Sequence, residues 1–144
     1  MFLNTFNPFL FFCLYLAAKF EKTKVMNFIL VFIGGGLGSI CRFGISLFMK
    51  NQGYVFPMAT LLANALSCIV LGALVGWTMK NGNASDVQKY LLMTGFCGGF
   101  STFSTFTNET YQLFESGNLA YAFGNILLSL VVCLFCIYVG MKCV

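Results

Sequence analysis

Four long apolar stretches, residues 27–49, 57–79, 87–114 and 118–141, constrain this chain more than any other feature. An α-helix rises 1.5 Å per residue and the hydrocarbon core of a bilayer is about 30 Å thick, so each stretch is long enough to cross it. The connections "KNQGYVF", "KNGNASD" and "ESGN" carry glycine, asparagine, serine and charge, the punctuation of short water-exposed turns. The expected architecture is therefore an all-α membrane protein with four transmembrane helices. With 59% of the 144 residues hydrophobic and only 8% charged, almost nothing remains for a soluble domain. Function has to sit inside the membrane.

Residues 1–25 stand apart from residues 26–144, which read as one four-helix domain. The apolar run 2–18 precedes Lys19, Lys22 and Lys24, whereas a secretory signal has its positive charge first. Met26 then opens "MNFILVFIGGGLGS", the pattern of a fresh start, so residues 1–25 are read as an optional leader or a misplaced start rather than a working fifth helix. Lysine and arginine near helix ends orient a membrane protein. From Met26 onward one side has Lys80, Lys89 and Lys142, and the other Lys50 and Arg42. So weak a bias permits insertion both ways round, and two opposed copies can then pair.

Several function classes drop out. The net charge of +4 is scattered over seven lysines and one arginine, with no cluster able to neutralise successive phosphates, so nucleic acid is not an expected partner. Histidine is absent, and Glu21, Asp86, Glu109 and Glu115 are too dispersed for the acid–base or nucleophile–base sets of an enzyme. Of the seven cysteines, Cys41, Cys68, Cys97, Cys133 and Cys136 lie in apolar runs, where a thiol behaves as a small hydrophobe. The pair Cys133 and Cys136 has no second pair at zinc-finger spacing.

Within the spans, Gly34 and Gly38, Gly72 and Gly76, and Gly95 and Gly99 each make a G-x-x-x-G, a device for close helix packing in lipid. Arg42, well inside the first span, is either an anchor at the far interface or a partnered functional charge, since an ionised group at depth costs at least a few kcal/mol. Asn64, near the middle of the second span, needs partners for its amide from another helix or from something passing through. The third span holds "GFCGGFSTFSTFTNE". Paired glycines destabilise a helix interior by about 1 kcal/mol each, and the adjacent hydroxyls compete for the backbone, so the helix is expected to break near Gly98 to Ser101. A break at membrane depth has to be buried or line a cavity, and its freed carbonyls can bind a cation.

Past the break, Phe103 and Phe106 share one helical face, with Phe100 extending the stripe. A phenyl ring is positive at its edge, so edges turned into a pore attract an anion, and Ser104 and Thr105 add hydroxyl donors. Packing against neighbours or lipid is the plainer reading of such a stripe, but hydroxyls and a helix break beside it favour the pore. In the last span Tyr121, Asn125 and Ser129 fall at i, i+4 and i+8 and draw a polar line on one face, suited to guiding an ion by exchange of hydrogen-bond partners.

"GGGLGSICRFGIS", "ATLLANALSCIVLG" and "GFCGGFSTFSTFTNE" together resemble the Fluc (CrcB) family of fluoride channels, from about Met26 to the C-terminus. The resemblance implies a multi-pass protein of the bacterial inner membrane that lets toxic cytoplasmic fluoride leave passively. It implies an antiparallel, dual-topology homodimer with two fluoride pathways and a structural sodium ion at the interface. Phe103 and Phe106 match the family's pore phenylalanines, Asn64 its pore asparagine and Arg42 its first-helix arginine. Backbone carbonyls of Gly98 and Ser101 match its sodium ligands. The family's polar track maps onto Ser104, Thr105, Tyr121, Asn125 and Ser129, with Asn125 in place of an expected serine. Phe100 replaces a more usual aliphatic residue, and Glu109 matches an acidic position near a vestibule.

Two other classes fit a small four-helix membrane chain. A dual-topology multidrug exporter needs an embedded carboxylate to couple protons to substrate, but here the central polar groups are neutral and Glu109 lies near a helix end. A non-conducting assembly subunit would use its glycines and hydroxyls only to hold helices together.

Overall fold

The computed structural model describes the backbone of residues 8–50 and 55–144, and the side chains of residues 24–50 and 55–144. The leader expected over residues 1–25 thus lies partly outside the described residues. Helix α1 (Pro8–Met49) runs unbroken for 42 residues, or about 63 Å. Its segment Lys24–Met49 is long and apolar enough to span a membrane.

Helix α2 (Met58–Asn81) starts directly after Pro57 and stops at Gly82, whose φ of 90° is a conformation glycine adopts without a Cβ penalty. The third crossing is composite. Its first part, α3 (Val87–Cys97), has the wider π winding and passes into one α-turn, α4 (Gly98–Phe100). Ser101 and Thr102 are extended, and α5 (Phe103–Glu115) resumes the crossing. A turn at Gly117, with φ of 75°, leads into α6 (Leu119–Lys142). Four helical crossings result, the third interrupted. The interruption falls at the C-terminal edge of the expected window: Gly98 itself is helical, with φ −65° and ψ −36°, and the backbone leaves the helix at Ser101.

The helices pack in two principal pairs, α1 on α3 and α4, and α2 on α6, with α5 also lying against α6. Glycines make both pairings close. A Cβ on Gly34 would overlap the Leu91 carbonyl, and one on Gly38 the Phe96 carbonyl. Across the other pair, Gly72 lies on the backbone of Ile137, Gly76 on that of Met141, and Gly140 on Ile69. Without water exclusion to drive association in lipid, such backbone proximity lets dispersion forces hold helices together.

Side chains are sorted by size and polarity in a way suited to that solvent. Thr60, Ser67, Thr102, Thr110, Asn125 and Ser129 are buried, whereas Phe28, Phe32, Phe48, Phe123 and Phe135 are exposed. Small hydrogen-bonding groups fill the interior, and bulky apolar ones cover the outside.

Candidate functional site

The interruption of the third crossing is built by hydrogen bonds from two directions. Thr102, the N-cap of α5, accepts from the Thr105 amide at 3.2 Å and donates its hydroxyl to Thr105 Oγ1 at 3.1 Å. Ser104 Oγ lies 3.3 Å from the same hydroxyl. Part of the close spacing of hydroxyls in "FSTFSTF" is therefore capping chemistry, satisfying groups at the start of α5. From α2, Asn64 grips the other side of the backbone. Its Oδ1 accepts from the Thr102 amide at 2.8 Å and its Nδ2 donates to the Thr102 carbonyl at 3.4 Å.

That grip has a consequence upstream. The Thr102 amide, which an unbroken helix would direct to the Gly98 carbonyl, is committed to Asn64. The Cys97 carbonyl is well supplied, accepting from Ser67 Oγ and Ser101 Oγ, each at 2.9 Å, and from the Ser101 amide at 3.0 Å. Ser39 Oγ of α1 reaches the Gly99 carbonyl at 3.5 Å. The interruption thus frees the Gly98 carbonyl, on a residue exposed at the surface of the chain.

Beside the interruption lies a pocket of about 230 Å³ whose walls include Asn64, Ser101, Thr102, Phe103, Phe106 and Ser129. The rings of Phe103 and Phe106 stand 5.8 Å apart and tilted by 37°. Phe100 does not continue their stripe, because the extended residues turn the chain. It is buried before the interruption, 5.5 Å from the ring of Phe96.

A hydrogen-bonded line leaves the pocket through α6 and returns to α5. Ser129 Oγ donates to Asn125 Oδ1 at 3.3 Å, Asn125 Nδ2 donates to Thr110 Oγ1 at 2.8 Å, and Thr110 donates to the Phe106 carbonyl at 2.7 Å. Asn125, at 1% exposure, has no contact with the pocket and joins two helices behind it. Tyr121, one turn earlier on α6, is 49% exposed and takes no part in the line. Ser104 and Thr105 are exposed beside the cap.

Toward the end of α5, Glu109 Oε1 accepts from Thr60 Oγ1 at 2.8 Å. Its Oε2 is buried without a hydrogen-bond partner among the described residues. Glu109 borders a second recess of about 420 Å³, together with Pro57, Gln112 and Asn118. Arg42 is half-buried in α1, away from both recesses, and its carbonyl accepts from Ser46 Oγ at 3.2 Å.

Sequence reasoning did not single out Thr102, Ser67, Thr60 or Thr110. Thr60, Asn64 and Ser67 fall at i, i+4 and i+7, a polar stripe on an apolar helix and a readable signal. Thr102 belongs to the residue types preferred as helix N-caps, a weaker signal. Thr110 had none, since its partner comes from another helix.

Comparisons with known proteins bear on the same segment of chain. The profile of the family described as CrcB-like protein, Camphor Resistance (CrcB), matches residues 29–141. A protein named fluoride-specific ion channel FluC from Azobacteroides pseudotrichonymphae genomovar. CFP2 is 46% identical over 90 residues, covering 62% of this chain and 72% of the relative. Proteins of the same name from Dehalococcoides mccartyi and Pyrococcus horikoshii are 38% identical over 113 residues and 40% identical over 111. These cover 78% and 77% of this chain, and 87% and 89% of the relatives.

Proposed function

We propose, from the premise that this chain belongs to the CrcB-like protein family, that it is a fluoride-selective channel through which fluoride leaves the cytoplasm passively. The pocket at the helix interruption carries this reading: an amide, hydroxyls and two phenyl rings line it, and no carboxylate does.

Fluoride is small and strongly hydrated, so any path through the membrane has to replace its water with donors at close intervals. Asn64 Nδ2 has two hydrogens, and the Thr102 carbonyl takes one; the second is available to an ion in the pocket. The positive edges of Phe103 and Phe106 attract the anion without offering it a lone pair. Ser129 Oγ stands at the pocket wall with its one hydrogen given to Asn125 Oδ1, and has to turn it away from Asn125 to serve an ion. Multiple weak donors suit conduction, which requires that an ion enter readily and leave readily. The neutral pocket also disfavours the exporter, whose proton coupling needs a carboxylate at the substrate site.

Sodium fits the residues at the interruption. Gly98 and Ser101 would hold it through their backbone carbonyls, and the Gly98 oxygen has already lost its ladder partner to Asn64. Hard cations take several oxygen ligands, more than these two, so a second antiparallel copy supplying the same pair completes the set. When bound, the ion offsets the negative ends of the carbonyl dipoles left open at the interruption.

Efflux from liposomes containing the purified full chain tests the channel, with chloride as the control anion. Rapid efflux of fluoride alone, unaffected by a proton gradient, is the expected result. Proton-coupled export of an organic cation would replace this reading with the exporter, and silence toward both with the assembly subunit.

A further inference from the structure

The wall of the pocket also holds two thiols that conduction does not use. Cys68 of α2 and Cys133 of α6 both line the pocket. The helix register accounts for this placement. Gly72 sits on Ile137 and Gly76 on Met141, so α2 and α6 run in the same direction at a constant offset, and one turn earlier that offset sets Cys68 opposite Cys133. The missing Cβ atoms at Gly72, Gly76 and Gly140 bring the two backbones unusually near, as a bond between side chains of separate helices requires. Both thiols are half-buried and reachable from the pocket by a molecule the size of water. Cys136 lies one turn beyond Cys133 on the same helix and competes less well, since it is not part of the pocket wall.

We propose that Cys68 and Cys133 form an oxidisable dithiol in the pocket wall, closed to a disulfide by a peroxide-class oxidant, and that closure restricts the ion path. One sulfur attacks the peroxide O–O bond, giving a sulfenic acid and a molecule of water. The second sulfur displaces the hydroxyl as another water, so two S–H bonds and one O–O bond are exchanged for one S–S bond and two waters. The new bond, about 2.05 Å long, ties α2 to α6 one turn from Asn64, the residue whose amide serves the pocket, and removes the freedom of that wall to adjust around a passing ion.

The test uses the full chain in liposomes, treated with hydrogen peroxide and then with dithiothreitol. Peptide mass mapping should show the loss of two hydrogens in a Cys68–Cys133 crosslink, absent from Cys68→Ser and from Cys133→Ser. Fluoride efflux of the treated wild type should fall below about a third of its own untreated rate and recover on reduction, while each serine variant keeps its own untreated rate through treatment. A crosslink that maps to Cys136, no crosslink at all, or a Cys68–Cys133 crosslink that leaves efflux unchanged would overturn the proposal. Only the efflux measurement rests on the channel reading. Mapping decides the dithiol even if the untreated protein passes no fluoride, a result that would count against the channel instead.

Discussion

At Phe106 an aromatic edge is the only polar feature an apolar side chain can offer an anion. Phe106→Ile keeps the bulk and apolarity of the pocket wall and removes that edge, so fluoride efflux should fall on the order of tenfold, equivalent to about 1.4 kcal/mol in barrier, with the elution volume of the purified protein unchanged. Efflux at the wild-type rate would refute a role for the ring. Asn64→Asp keeps the acceptor that holds the Thr102 amide, but sets a carboxylate against the Thr102 carbonyl and a negative charge in the anion's path. Efflux should fall at least as far as in Phe106→Ile, measured in the same liposomes. Both residues stand out in the sequence as candidates, an amide and a hydroxyl-flanked ring in an apolar run, and the structure sets both in the pocket wall. Asn125 was readable as polar but not as hidden: whether it faces a pore or another helix depends on Thr110, fifteen positions away and on a different element.

The interruption shows what local sequence conveys about an element and what it leaves out. Paired glycines correctly signalled an irregular third crossing, yet their own role is different. Gly99 remains in the helical part because it packs on Gly35 of α1, where a Cβ would overlap the Gly35 carbonyl. What stops the helix is Thr102, capping α5 with its hydroxyl while its amide is drawn aside by Asn64. Thr102→Val keeps the shape and removes the cap, with a loss of about 1 kcal/mol; thermal denaturation in detergent should report a lower midpoint, and efflux should decline with it. Gly72→Leu tests packing between elements. Its side chain would meet the Ile137 backbone, which cannot yield as a flexible side chain does, so the variant should lose the folded, monodisperse form seen by size-exclusion chromatography. An unaltered profile would mean that α2 and α6 tolerate separation.

For the molecule as a whole, the apolar patterning disclosed four crossings, because length and hydropathy report directly on a 30 Å slab. Patterning did not disclose that α1 continues backward to Pro8 without interruption, since lysines at 19, 22 and 24 can ride a helix emerging into water as readily as they can end one. Expression of residues 26–144 alone should yield a membrane-inserted protein with fluoride efflux near that of the full chain. Complete loss would assign an essential role to the segment before Met26. If sodium joins two copies at Gly98 and Ser101, exchanging it for a bulky organic cation in every buffer should lower the melting temperature and the dimer fraction together, whereas no change in either would remove the ion from the assembly.

The inverted distribution of side chains, hydroxyls and amides within and phenyl rings without, has a thermodynamic corollary. Separation of these helices within a bilayer moves little apolar surface into water, and hydration of such surface is the source of the large heat-capacity increment of soluble proteins. Stability should therefore vary almost linearly with temperature, with no maximum near room temperature and no weakening in the cold.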